Sequence, residues 1–152
     1  MDLVIDVVYI NSEVFLHTVD CMIKCSSRIV LGTYTKGQAP TKEILFKAID
    51  EVLQKYNQCE VSIKTIHADN GFWSVFTNLV DNWDIEINFS NPGKHVLDIK
   101  RGNQTLQERF WVQLYQLPFK VMPRTMIQYL PSRITKNQSV FPYQSILAPM
   151  CS

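Results

Sequence analysis

Two aspartates stand where a carboxylate can do chemistry. Asp69 closes the apolar run Ile63-Lys64-Thr65-Ile66-His67-Ala68 and is followed by Asn70-Gly71-Phe72, while Asp6 interrupts Leu3-Val4-Ile5-Asp6-Val7-Val8-Tyr9-Ile10. A strand that stops at an acid delivers one carboxylate to the rim of a sheet. On its own residues Asp69 reads either as the start of a turn, with Asn-Gly supplying positive φ, or as a metal-holding carboxylate. Asp6 reads either as an acid in a hydrogen-bonded pair or as a functional group, because an unpaired buried carboxylate is expensive. Two such carboxylates on adjacent strands suit Mg2+ or Mn2+, which prefer oxygen ligands. Those ions activate a water or a 3′-hydroxyl and stabilise the leaving oxygen in phosphoryl transfer.

The elements around them must bring the two acids together. Residues 3–10 are apolar on both parities, the pattern of a strand buried on two faces. Asn11-Ser12-Glu13 signals a turn, Val14–Val19 the returning strand of a hairpin, and Arg28–Tyr34 a third strand, making a meander. Thr41 is placed to cap a helix in which Ile44, Leu45, Ala48, Ile49, Val52, Leu53 and Tyr56 form one apolar face. The strand at 61–67 follows that helix, so the crossover lays it parallel to a neighbour. A short helix from Phe72 to Val80 and a strand at Ile85–Phe89 come next, and Ser90-Asn91-Pro92-Gly93 breaks the chain. A longer helix from Lys94 to Tyr115 turns Val96, Ile99, Asn103, Leu106 and Phe110 inward. A last helix is expected at Thr125–Leu130, and irregular structure from Pro131 to Ser152. This order describes an α/β domain, a mixed five-stranded sheet of a meander and then parallel strands, flanked by helices. In it Asp6 and Asp69 can be neighbours.

Composition bounds the function. At 152 residues the chain is one domain, 1–152, with 131–152 a poorly defined tail, and 46% apolar against 19% charged residues excludes a disordered segment. No apolar run reaches membrane-spanning length and Met1-Asp2-Leu3 lacks a signal peptide's basic start, so the expectation is an intracellular protein without membrane partners. Cys21, Cys25, Cys59 and Cys151, with His17, His67 and His95 scattered, do not have zinc-site spacing and read as ordinary thiols. Net charge is +1 but segregated: residues 1–93 hold 7 basic against 12 acidic side chains, and residues 94–152 hold 8 against 2. An acidic half that can hold cations and a basic half that can meet phosphate suit a nucleic-acid protein. Trp73, Phe76, Trp83, Phe110 and Trp111 fall at helical or strand positions, where core or subunit contacts are expected rather than base stacking.

Asp6 in the first strand, the hairpin ending Phe15-Leu16-His17-Thr18, and Ile66-His67-Ala68-Asp69-Asn70-Gly71 together resemble the catalytic core of retroviral and LTR-retrotransposon integrases. Lys100-Arg101-Gly102-Asn103-Gln104-Thr105-Leu106 is similar to the family's Glu-Arg-x-Asn-x-Thr-Leu helix segment, with Copia-like elements the nearest flavour. The resemblance implies a ribonuclease-H-like fold, Mg2+ or Mn2+ as cofactor, DNA as partner for DNA integration, and nuclear localisation for a functional protein. A homodimer is compatible with it. Carried over by position, Asp6 and Asp69 are the first two members of the family's Asp, Asp, Glu metal triad and its catalytic acids. The third falls on Lys100.

That departure puts turnover in doubt. Against a cation about 4 Å away, exchanging −1 for +1 reverses about 4 kcal/mol per pair of unit charges at an effective dielectric near 20. Asp98 is turned about 200° from Lys100 on a helix, and Glu108 lies about 12 Å further along it, so neither replaces the glutamate. Pairing with Lys94 and Arg101 is the expected fate of Asp98. Gly102 inside the helix costs about 1 kcal/mol relative to alanine. Lys94, Lys100, Arg101, Gln104 and Arg109 can still line a phosphate-facing surface, or simply a solvated one. Three functions therefore compete: an impaired integrase core, a nucleic-acid-binding or protein-interaction module without the chemistry, and a ribonuclease-H-like nuclease using another carboxylate.

Overall fold

The computed structural model describes residues 1–22, 25–35, 37–77, 83–89, 94–119 and 121–140, the side chains of 94–98 and 137–140 excepted. Five strands, β1 (Asp2–Ile10), β2 (Glu13–Asp20), β3 (Ser26–Thr33), β4 (Thr65–Ala68) and β5 (Glu86–Phe89), form one sheet in the order β3-β2-β1-β4-β5. The meander β1-β2-β3 is antiparallel, and β4 and β5 add in parallel. Asn11 and Ser12 take positive φ, 49° and 67°, in a two-residue turn that lets Ile10 face Glu13 directly. A bulge opposite Val14/Phe15 leaves Leu31 without a partner across the ladder. Beside it Gly32 has φ 134°, a conformation that a side chain would strain.

The sheet carries a core on each face. Leu3, Ile5, Val14 and Leu16 pack with Ala48, Ile49, Val52 and Leu53 of α1 (Lys42–Gln58) and with Phe72, Val75 and Phe76 around α2 (Trp73–Phe76). Val8, Ile10 and Phe15 pack on the other face with Leu106 and Phe110 of α3 (Lys94–Gln116) and with Ile127, Leu130 and Ile134 of α4 (Arg124–Val140). The two parities of β1 feed two different cores, which is why its sequence is apolar throughout. Among the described residues no helix is long and apolar enough to cross a membrane.

Several local expectations need correction. Thr41 sits at the N-cap of α1 in extended conformation without a side-chain capping bond, its hydroxyl engaging Glu43 instead. The end of the helix expected to reach Val80, and the break at 90–93, lie outside the described residues. Cys25 and Cys59 are exposed free thiols, whereas Cys21 is disulfide-bonded. Regular structure does not stop at Pro131, because α4 continues to Val140. A mid-helix proline costs roughly 3 kcal/mol, but burial of Leu130 and Ile134 holds the helix together. The Pro131 carbonyl also accepts from Arg28 Nη1 at 3.2 Å and from the Thr135 hydroxyl at 2.7 Å. Residues 141–152 lie outside the described residues.

Glu13 clasps the β1-β2 hairpin to α4. Only 2% of it is exposed, and its carboxylate accepts from Thr33 Oγ1 at 2.6 Å, Arg124 Nε at 3.0 Å and Gln128 Nε2 at 2.9 Å. Burial pushes its pKa up, but the hydrogen bonds and the Arg124 charge outweigh it and hold the carboxyl below its ordinary value. A carboxyl lowered in the native state contributes stability above its unfolded pKa, near 4.5, that is lost as pH falls through the native value. Glu13→Ala should therefore lose about 1–3 kcal/mol in urea melts at pH 7, as the hydrogen bonds to Thr33, Arg124 and Gln128 are lost. The loss should shrink at pH values below 4.

Candidate functional site

Asp6 lies in the middle of β1, half-buried, on the face covered by α3 and α4. Its Oδ1 accepts the Val7 N–H at 2.9 Å and its Oδ2 accepts from Asn103 Nδ2 at 2.8 Å. Pairing of β1 with β4 ends at Val4 opposite His67. Asp69 follows two residues after His67, just past the end of β4, close enough for its carboxylate to act on Asp6. Asp69 leaves β4 at the rim and caps the 3-10 turn Asn70–Phe72, its Oδ1 accepting the Asn70 N–H at 2.6 Å. The turn and the carboxylate therefore coexist, one oxygen serving the cap. Neither Asn70 nor Gly71 takes positive φ, so the turn does not work as Asn-Gly alone suggests.

Behind Asp6 runs a line of polar groups. Strand pairing places Asp6 opposite His17, and His17 opposite Arg28, across β1, β2 and β3. Asn103 enters from α3. Its amide nitrogen donates to Asp6, its carbonyl accepts from His17 Nδ1, and His17 Nε2 faces Arg28 Nη2 at 3.4 Å. These roles fix His17 as the neutral tautomer with the proton on Nδ1, donating to Asn103 and accepting from Arg28. Arg28 Nη1 donates onward to the Thr135 hydroxyl and the Pro131 carbonyl of α4. Burial and the Arg28 charge push the His17 pKa down to about 3, and burial lowers Arg28 to about 9.

Burial, two hydrogen bonds and two charges act on Asp6. Burial is the largest influence and raises its pKa, with the Asp69 carboxylate adding to the rise. The Val7 N–H, the Lys100 ammonium and the Asn103 amide pull the other way, and the balance leaves it raised. Lys100 is exposed on α3, one turn before Asn103. The site therefore gathers Asn103, Asp69 and Lys100 around Asp6.

The remaining basic residues divide. Arg101 and Gln104 are exposed, Gln104 donating to Glu108 at 3.1 Å. Arg109 sits nine residues from Lys100, about 180° around the helix, and lines a shallow depression with Glu108, Val112, Gln113 and Gln116. The side chains of Lys94 and Asp98 lie outside the described residues. Ile99, Asn103, Leu106 and Phe110 are buried as expected of the inward face. Phe76 and Phe110 are core, but Trp73 is 59% exposed beside Asp69's turn, its ring 4.8 Å from that of Phe89. Its position four residues after Asp69 gave no hint of that exposure.

His17 and Arg28 are the members of the site that sequence reasoning missed. The signal was a histidine in an otherwise apolar returning strand: counting outward from the two-residue turn at Asn11-Ser12 already sets it opposite Asp6. The donor set does not fit a two-ion centre. Among the described residues no three of Asp, Glu, His and Cys converge as a cation site, and the Lys100 ammonium acts on Asp6.

No protein-family model and no curated protein sequence matches the chain. Among solved structures it is similar to the catalytic core domain of BIV integrase, with a TM-score of 0.62 at 15% identity over 95% of this chain and 86% of that one. The fold is therefore that of a retroviral integrase catalytic core, the ribonuclease-H-like architecture.

Two stability measurements follow from the polar line. His17 is held neutral while the unfolded chain protonates it near pH 6.5, so its contribution to stability falls as pH drops from 6.5 toward 3. His17→Gln, able to donate to Asn103 and accept from Arg28, should flatten the slope of unfolding free energy between pH 6.5 and 4.5, a window above the Glu13 effect. Gly102→Ala should gain up to ~1 kcal/mol, since an added Cβ would lie at an ordinary 3.6 Å from His17 Cε1. Urea melts across pH measure both.

Proposed function

We propose that the chain, residues 1–152 as a single core, is an integrase-core-like domain of retroelement descent, of Copia-like type. It binds nucleic acid, and its polynucleotidyl transfer is impaired because Lys100 replaces the third acidic ligand. The observation that carries this reading is the Lys100 charge acting on Asp6, next to Asp69, in a fold shared with the BIV integrase catalytic core. Asp6 and Asp69 are the catalytic and metal carboxylates by descent. Mg2+ or Mn2+ is the cofactor the resemblance implies, and no step is assigned to it here because the donor set does not fit a pair of ions.

What the residues present can do is hold phosphate. Lys100 and Arg101 are exposed on α3, with Gln104 beside them as a hydrogen-bond donor. Lys94 precedes them on the helix, and Arg109 contributes from the opposite flank. Each cation that meets a backbone phosphate releases counterions and steepens the salt dependence of binding, without adding sequence preference. DNA is the proposed partner, with nuclear localisation following for a working protein.

A non-catalytic protein-interaction module is the second reading, favoured by the exposed Trp111, Tyr115, Phe119 and Tyr129 around the end of α3 and the start of α4. A homodimer through such a surface belongs to this reading.

Assays of 3′-end processing and strand transfer in Mn2+ separate these. The unmodified chain is expected to show no turnover, Lys100→Glu partial recovery, and Lys100→Glu with Asp69→Asn none. Robust turnover by the unmodified chain that Asp69→Asn abolishes would overturn the impaired reading. In DNA titrations Lys100→Ala should reduce the salt slope by about 1. Failure of the unmodified chain to bind DNA at low salt would leave the interaction module standing.

A further inference from the structure

We propose that Lys100 is the built-in counter-ion of the Asp6 and Asp69 carboxylates, a tethered cation in the place to which a divalent metal would otherwise be drawn. The inference rests on the preceding reading only in treating those two acids as one pair.

Two contacts fix α3 on β1. Asn103 Nδ2 donates to Asp6 Oδ2 at 2.8 Å, and one turn later Gln107 Nε2 donates to the Tyr9 carbonyl at 3.0 Å. Lys100 precedes Gln107 by seven residues, which returns it to within about 20° of the same helical direction. The ridge that meets β1 at Gln107 therefore carries Lys100 one turn before Asn103, about 4.5 Å along the axis. The parallel pairing of β1 with β4, which ends at Val4 opposite His67, leads Asp69 toward Asp6, and its carboxylate acts on Asp6. The ammonium thus projects from the helix edge that borders the carboxylate pair, and its charge acts on Asp6 against the repulsion from Asp69.

Two carboxylates that repel one another need a compensating charge, which a proton, a metal or a side chain can supply. Here a side chain does. Among the described residues Lys100 makes no contact ion pair, so it acts on Asp6 at longer range and remains exposed. A long, flexible, hydrated ammonium of this kind neutralises the pair without being locked to either acid. A divalent ion approaching the pair meets a like charge, and what it would add electrostatically is already present.

The consequence is indifference to metal that one substitution abolishes. Thermal unfolding of the full chain is measured in EDTA and in 10 mM Mg2+ or Mn2+, for the unmodified protein, Lys100→Arg, Lys100→Ala and Lys100→Glu. The unmodified chain and Lys100→Arg should show the same midpoint in all three conditions. Lys100→Ala and Lys100→Glu should melt lower in EDTA and regain about 3 °C or more with either ion, as expected for a millimolar site on a domain of this size. Adding Asp69→Asn to Lys100→Glu should remove that gain, placing the ion at the pair. A metal-induced shift in the unmodified chain as large as in Lys100→Glu overturns the proposal, as does the absence of any shift in Lys100→Glu. Neither DNA nor turnover enters this measurement. A chain that is indifferent to metal yet never binds DNA would sink the nucleic-acid reading alone, and a DNA-binding chain stabilised by Mn2+ would sink this one alone.

Discussion

The hydrogen bond from Asn103 to Asp6 is the constraint on which the rest of the site depends. An acid in the middle of a strand covered by two helices must be given donors, and β1 offers only the Val7 N–H. The second donor comes from α3, so the depth and rotation of that helix are set by a polar contact within an otherwise apolar interface of Leu106 and Phe110. The Asn103 amide must in turn point its nitrogen at Asp6. His17 ensures this by offering a proton to the amide oxygen, and Arg28 ensures it for His17 by donating to the other ring nitrogen. Reversing any member would set acceptor against acceptor or donor against donor, so the line has one internally consistent polarity.

The fold and the charged groups at the rim depend on different residues here. Asp6, Asp69 and Lys100 belong to neither core, and the strand order needs only the apolar parities of β1, the Asn11-Ser12 turn and the crossover through α1. Lys100 is exposed and enters neither core. A change of charge at that position leaves packing untouched and alters the electrostatics of two carboxylates only. Similarity of fold to the BIV integrase core at 15% identity fits such a division, because the pattern of burial survives where individual residues do not.

Much of this architecture was legible in the sequence. The doubly apolar β1, the α1 face apart from exposed Ile44, and the inward residues Ile99, Asn103, Leu106 and Phe110 were read correctly, since each rests on a periodicity that burial enforces. The juxtaposition of Asp6 with Asp69 followed from the crossover rule. Arg28 was not legible because nothing local marks a buried arginine: its partners, Pro131 and Thr135, lie more than a hundred residues away. The continuation of α4 beyond Pro131 was missed for a related reason, local propensity being overridden by packing that only the assembled sheet provides. Trp73 illustrates the opposite failure, a large apolar ring left at the surface where composition alone would bury it.

The two attachments of α4 carry a consequence for where this domain can be cut. Glu13 grips its first turns through Arg124 and Gln128, and Arg28 grips the stretch after the proline through Pro131 and Thr135. The helix is thus pinned to the β2-β3 side of the sheet at two levels, at its Glu13 end and beside the His17–Arg28 pair. A shortened chain that stopped at Pro131 would keep the first attachment and uncover the second, exposing a guanidinium whose other contact is the histidine behind Asp6. The smallest autonomous folding unit accordingly extends through Thr135, and the geometry at the rim is set in part by residues at the far end of the polypeptide.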